Sequence, residues 1–443
     1  MNSSPDAPIY NLKAVVQETG LKPDTLRAWE RRYGLPQPQR TDSGHRLYSQ
    51  NDINLLKWLI IRQDEGMSIS RAVDLWRRLS EEQADTVQKT TSSSPSPASP
   101  VKQGDALAEL HDAWVASCMN FDEQRAERVL AQAFAIFPVE QVCVDLLQRG
   151  LQTSGEGWYH GKVTVQQEHF ASALATRRIE TLLASTPPPT RIGRILIGCP
   201  PEEAHIFIVL LLSLLLRRKG WDIIFLGANV PVENMIMTIQ TAHPMLVILT
   251  AQQLSTAANL ADMAQVLYHE HIAVAFGGKI FTEIHDLRQR IAGYYLADHL
   301  EAGIQAIEQI MAMPRPQPAL KPVTATYREA LHQFRARHSW IEGDVWRAMA
   351  HTKMPLEHLG KANASFSRNI AAALTLGNIE YVGNDLLWIK GLLSNHYQMP
   401  ENLVDDYLAA YLTAAKLYLE GPGSIVVDWL QHVLSADPLS ELL

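Results

Sequence analysis

Cysteine is scarce in this chain. Cys118, Cys143 and Cys199 are its only thiols, and they stand far apart. That spacing gives neither the paired pattern of a disulfide scaffold nor the close pairs of a structural zinc site, and it fits a reducing compartment, so a cytoplasmic protein is expected. Long apolar runs are also missing. The greasiest stretch, residues 206–216, is too short to span a bilayer and ends in Arg217, Arg218 and Lys219. The N-terminus has no basic segment followed by an apolar one, so neither a secretory leader nor a membrane partner is expected. Nor does the sequence carry an internal repeat of fixed period. With 47% hydrophobic residues in 443, it has enough apolar material for two to four packed domains and does not read as disordered.

Charge divides the chain. The net charge is -8, yet residues 1–80 hold twelve Lys and Arg against nine Asp and Glu. A basic head on an acidic body points to nucleic acid as the partner of the head. A Ser/Pro tract at 90–100 cannot bury a core and reads as a tether, and a second Pro-rich stretch lies at 314–318. The expected organisation is multidomain α and α/β. Residues 1–80 form a winged helix-turn-helix, 81–104 a linker, and 105–186 a helical bundle. Residues 187–313 form a Rossmann-like (flavodoxin-like) parallel sheet, 314–325 a second linker, and 326–443 an all-α bundle.

In the head, Lys22, Pro23 and Asp24 open a second helix carrying Arg27, Arg31 and Arg32, with Leu26 and Trp29 on its opposite, buried side. A polar, hairpin-like stretch at 40–48 follows. The residues at 26–34 (LRAWERRYG) and 40–48 (RTDSGHRLY) closely resemble the MerR family of transcription regulators. The resemblance covers about residues 8–79. It implies a recognition helix in the major groove of operator DNA and a wing gripping the backbone. Arg27, Arg31, Arg40, His45, Arg46 and Tyr48 are the candidate DNA contacts. Such regulators bind as two-fold dimers, commonly through a long helix after the wing. The Ser/Pro tract stands in that helix's place, so self-association into a homo-oligomer, dimer or tetramer, is expected from the body.

In the α/β region, Glu203, Ala204 and His205 follow the apolar strand at 195–198, and Gly277 and Gly278 end the strand at 272–276. Open parallel sheets bind ligands beyond their strand carboxyl ends, and glycines there permit turns or close approach. These residues resemble the cobalamin-binding domains. The resemblance implies that His205 is the lower axial ligand of cobalt and Glu203 its hydrogen-bonded orienter. By the same likeness Thr250 faces the cofactor's nucleotide tail, and Gly277 and Gly278 let the tail enter. Ile208 stands where that family has Gly, and Gln252 where it usually has Leu. In the helical region, Trp158 precedes Glu168 and His169 in a spacing that resembles the cap of the light-sensing, adenosylcobalamin-dependent, CarH-like repressors. There the three residues enclose the upper face of the corrin. In that group a His directly follows the Trp. Here Tyr159 follows, and His160 comes one place later as the candidate upper ligand.

The C-terminal segment lies beyond these resemblances. It is rich in aromatics, among them Trp340, Trp346, Trp388, Tyr397, Tyr407, Tyr411, Tyr418 and Trp429, with His338, His351, His358 and His396 interspersed. Core and interface packing accounts for such a set, and a second tetrapyrrole, a bilin or haem, is the alternative. The chain is expected to be a cobalamin-sensing, light-responsive DNA-binding regulator. The alternative is the same architecture with a cobalamin-independent sensor responding to a protein partner or another tetrapyrrole such as a bilin. An enzyme is not expected, because no segment is long enough for a substrate barrel.

Overall fold

The computed structural model describes residues 10–40, 46–64, 103–313, 320–352, 354–383 and 402–435, with single or short stretches at 8, 69–70, 73, 318, 386, 389–391 and 400. The chain divides into two compact units, residues 1–100 and 101–443.

In the first unit, β1 (Tyr10–Asn11), β2 (Gln39–Arg40) and β3 (Arg46–Tyr48) form a small antiparallel sheet in the order β1-β3-β2. Asn11 caps α1 (Leu12–Thr19) by accepting from the Ala14 amide, and Gly20 ends it in the left-handed region. Pro23 begins α2 (Pro23–Tyr33), and Gly34, at φ +67°, stops it with its amide on the Glu30 carbonyl. The apolar side of α2 buries Leu26 and Trp29 with Val15, Tyr48, Ile53, Leu56 and Leu59, the last three from α3 (Gln50–Asp64). The opposite side leaves Arg27 and Arg31 exposed.

The second unit is built around a parallel sheet of β4 (Arg194–Gly198), β5 (Asp222–Gly227), β6 (Leu246–Thr250), β7 (Val274–Gly277) and β8 (Tyr294–Tyr295), in the order β5-β4-β6-β7-β8. The chain leaves β4 toward β5 and returns to its other side as β6. The topological switch point, where such sheets open a crevice, is therefore between β4 and β6. Side chains alternate between the two faces of the sheet.

One face, with Ile195, Ile197, Ile223, Leu246, Ile248 and Ala275, packs on α9 (Phe207–Arg218), α13 (Leu300–Ala312) and the helical bundle. That bundle consists of α4 (Gln103–Met119), α5 (Glu123–Ile136) and α6 (Val139–Gln141), then a π-helical stretch (Val142–Gln148), α7 (Arg149–Tyr159) and α8 (Val165–Ala184). α9 is buried all round, with every residue from 209 to 216 inside, which accounts for the greasiest run of the sequence.

The other face presents Leu196, Val247, Leu249, Val274 and Phe276 to α10 (Met235–Ala242), α11 (Leu254–His269) and the short α12 (Lys279–Glu283). That core continues without a break into α14 (Ala325–Met349), α15 (Leu356–Leu376), α16 (Asn402–Tyr418) and α17 (Ser424–Ser435). α11 packs directly on α15. The C-terminal helices thus extend the core of the sheet.

Their aromatics pack on one another. Phe366 meets Tyr411 edge-on at 4.7 Å and lies 5.9 Å from Tyr407 and 6.3 Å from Trp429. Trp388, His396 and Tyr397 lie outside the described residues or their described side chains. Among the described residues no helix is long and apolar enough to cross a membrane.

Candidate functional site

The loop after β4 lies at the switch point and holds a buried carboxylate bonded on both oxygens. Glu203 is 1% exposed. Its Oε1 accepts from the His205 amide at 3.0 Å and lies 2.6 Å from His205 Nδ1. Its Oε2 accepts from the Gln252 amide and the Thr256 hydroxyl, both at 2.7 Å. Burial pushes this carboxyl up, but the bonds from the His205 ring and amide, the Gln252 amide and Thr256 outweigh it and hold the group below its ordinary value. An ionised carboxylate only accepts, so His205 Nδ1 carries the proton and Nε2 is left as the free nitrogen. The bond to Glu203 also raises the His205 pKa against partial desolvation, and the nearby charge of Glu168 adds to the rise while that of Lys279 opposes it.

The His205 side chain is 61% exposed, and its loop lies beyond the carboxyl end of the sheet. A buried carboxylate fixing one ring nitrogen while the other faces outward is how proteins set an imidazole as a metal ligand. Among the described residues no three His, Cys, Asp or Glu side chains form a site for a free ion. A metal taken by His205 alone would therefore need most of its ligands from elsewhere, as a macrocycle provides.

The loop is tied down on two sides. Glu202 adopts φ +66°, and its amide donates to Asn229 Oδ1 at 2.8 Å. The Asn229 amide donates to the Glu203 carbonyl at 3.0 Å. From α11, Asn259 Nδ2 donates to the Pro201 carbonyl at 2.9 Å. Sequence reasoning missed Thr256, Asn229 and Asn259, which act on the loop from 27 to 58 residues away. Asn229 follows the end of β5 by two residues, whereas Thr256 and Asn259 stand on α11, where their polar side chains were the signal available.

Thr250, the last residue of β6, is buried with its hydroxyl 3.9 Å from Cys199 Sγ. Burial pushes the Cys199 thiol up to about 11 against the Thr250 hydrogen bond, so it offers no thiolate at neutral pH. Gly277 is the open position of the glycine pair, since a Cβ there would meet nothing within 4 Å. Gly278 is the tight one. It sits at φ +122°, and a Cβ would fall 2.0 Å from the Ala251 carbonyl oxygen. Ile208, half-buried, is the second residue of α9.

On the helical bundle, a Thr164–Gln167 capping box starts α8 and places Glu168 in its first turn. Glu168 Oε2 lies 2.7 Å from Nδ1 of the exposed His169. Trp158 is half-buried near the end of α7. Tyr159 closes that helix with its ring 5.2 Å from His160, which is exposed at the helix C-cap. The structure thus brings Glu203, His205, Gln252 and Thr256 into one bonded cluster, with Glu168 near enough for its charge to act on His205.

In the head, Arg27 is exposed and 3.4 Å from Asp24, and Arg46 pairs with Glu30 at 2.9 Å between the wing strand and α2. Tyr48 is a correction. It is fully buried in the head core, where its ring supports the fold, so it is removed from the DNA contacts. His45 and the Arg40 side chain lie outside the described residues.

Comparison with known proteins gives three family matches. Residues 10–79 match the MerR HTH family regulatory protein, and residues 110–183 and 193–303 match B12 binding domains. HTH-type transcriptional repressor CarH of Myxococcus xanthus is 30% identical over 257 residues, which cover 57% of this chain and 82% of that protein. HTH-type transcriptional repressor CarA of the same organism is 29% identical over 222 residues, covering 50% and 68%. Among solved structures, the Methanosarcina barkeri monomethylamine corrinoid protein aligns with a TM-score of 0.38 at 17% identity, covering 46% of this chain and 99% of that one.

Proposed function

The chain belongs to the MerR-type transcriptional regulators that carry cobalamin-binding domains, and from that premise we propose that its second unit is a corrinoid sensor governing how the DNA-binding heads pair on operator DNA. The observation that carries this reading is the His205–Glu203 pair, an exposed imidazole oriented by a buried, four-fold bonded carboxylate at the sheet's switch point. The residues fit the group. His205 Nε2 would hold the metal, the open space at Gly277 beside Thr250 would admit the nucleotide tail, and Trp158, Glu168 and His169 would cover the cofactor from the bundle.

The cofactor we propose is adenosylcobalamin. When bound, it supplies a cobalt–carbon bond that light can break. The protein's part is to hold bundle against sheet around the adenosyl group, so that loss of the group changes which surfaces are available for self-association. Linking two weakly binding heads raises operator affinity with no new base contact. In this reading Arg27, Arg31, Arg40, His45 and Arg46 contact the operator, the assembly is a homo-oligomer, and the setting is the cytoplasm. The named relatives are transcriptional repressors, which favours a regulator over an enzyme. A second tetrapyrrole draws no support from Phe366, Tyr407, Tyr411 and Trp429, which fill the C-terminal core.

Tyr159 and Ile208 favour a second reading, in which the same architecture carries a cobalamin-independent sensor that responds to a protein partner or another tetrapyrrole. Tyr159 is a poor cobalt ligand beside imidazole, and His160 stands at the helix end. One experiment separates the readings: absorption spectra and oligomer size of the full chain with adenosylcobalamin in the dark, then after green light. A protein-shifted spectrum that changes with light together with size supports the proposal. A bound spectrum with an oligomer size that light leaves unchanged supports cobalamin sensing alone, and a free-cofactor spectrum supports the second reading.

A further inference from the structure

Between the His205 loop and the glycine pair stands one residue bonded in both directions. Gln252 donates its main-chain N–H to Glu203 Oε2 at 2.7 Å, and its side-chain Oε1 accepts from the Lys279 amide at 3.0 Å. The two loops are already close. The Ala251 amide donates to the Gly277 carbonyl at 3.1 Å, and Gly278 lies so near the Ala251 carbonyl that no side chain fits. Among the described residues, it is the Gln252 side chain whose hydrogen bond ties the chain after Gly278 to the residue that bonds Glu203.

We propose that Gln252 is a positioning residue of the corrinoid site, fixing the Gly277–Gly278 turn relative to the carboxylate that orients His205. The assignment rests on the corrinoid reading of that site. The cobalamin-domain resemblance places Leu at this position, and a Leu would keep the main-chain bond to Glu203 but could not accept from Lys279. The position therefore separates two effects. Its backbone serves the histidine, and its side chain serves the glycine turn. A substitution that removes only the amide should leave the metal-facing side intact while loosening the wall of the tail passage.

The test uses the full chain with hydroxocobalamin, comparing the parent, Gln252→Leu and Gln252→Glu. Removing one neutral hydrogen bond should raise Kd about fivefold in Gln252→Leu. The absorption spectrum of the bound corrinoid should stay that of the parent, because Glu203 still holds His205. Gln252→Glu presents an oxygen at the same reach and should return Kd to within about twofold of the parent. In cofactor-free protein, hydrogen exchange at the Lys279 amide should quicken in Gln252→Leu and not in Gln252→Glu. Equal affinity and equal exchange in the parent and Gln252→Leu overturn the assignment. A changed bound spectrum in Gln252→Leu also overturns it, because the side chain would then act on the histidine. Failure of the parent to bind hydroxocobalamin overturns the corrinoid reading. The exchange measurement, made without cofactor, tells that failure apart from failure of the link itself.

Discussion

Replacing Glu203 by Gln changes one oxygen to an NH2 and removes a charge, and the structure gives the consequence atom by atom. If the remaining oxygen stays with the His205 amide and Nδ1, the new NH2 faces the Gln252 amide, a donor against a donor. A buried amide left without an acceptor costs about 1–3 kcal/mol. Thr256 loses less, because its hydroxyl already reaches the Gln253 carbonyl at 3.1 Å. The ring bond to His205 weakens by about 1 kcal/mol as it becomes charge-free on the acceptor side. The sum is a destabilisation of the second unit of about 2–4 kcal/mol, to be read from urea unfolding of parent and variant.

The pH dependence carries its own sign. The Glu203 pKa is lowered in the fold, so its contribution is present above the ordinary value of 4.5 and is lost as pH falls through the folded value. The His205 pKa is raised, so its contribution is fully present below 6.5 and is lost as pH rises through the folded value. The gap between parent and variant should therefore be widest between those two ordinary values and narrow on both sides. In the variant the His205 pKa, followed by NMR, should fall back toward 6.5. A gap under about 0.5 kcal/mol, the usual range for a surface substitution, or one constant from pH 4 to 8, would refute the reasoning.

The glycine pair gives a matched contrast. Gly278→Ala should destabilise the fold by about 3 kcal/mol or more, from overpacking against Ala251 and a backbone that Ala does not readily adopt. Gly277→Ala should leave apo stability within about 0.5 kcal/mol while weakening hydroxocobalamin binding, because its Cβ enters open space. Calorimetry and a binding titration check both. In the head, Arg31→Ala, on the helix proposed to enter the major groove, should cost operator binding about 1–3 kcal/mol and relax sequence preference, read by fluorescence anisotropy on operator and unrelated DNA. Phe366→Ala, at 1% exposure, should cost about 3–5 kcal/mol. Because its core runs into the sheet, probes in the sheet and in the C-terminal helices should lose stability together. Two separate transitions would contradict that continuity.

Much of this fold is legible in local pattern. The apolar stretch at 195–198, the helix with buried Leu26 and Trp29, and the buried series Ala126, Val129, Leu130 and Ala133 follow from period and from Pro and Gly punctuation. Glu203, His205 and the glycine pair are legible through resemblance, since neighbours in sequence carry the motif. The bonds from Gln252, Thr256, Asn229 and Asn259 are not, because they depend on which strand ends the topology brings together. The placement of the C-terminal helices was hidden for a related reason. Apolar spacing in α15 announces a buried face, but it does not say that α11 covers that face. Tyr48 reads as a contact from its basic, polar wing neighbours, yet it is the one fully buried residue of its three-residue strand.

His205 is the residue we propose as the ligand to the cobalt of a bound corrinoid. The direct measurement is electron paramagnetic resonance of the reduced, cobalt(II) form of the reconstituted protein, prepared once with ordinary and once with 15N-labelled histidine. If His205 Nε2 is the axial ligand, the nitrogen splitting should change from a triplet to a doublet on labelling and be lost in His205→Ala. A triplet that survives labelling, meaning that the nitrogen belongs to the cofactor itself, would contradict the account.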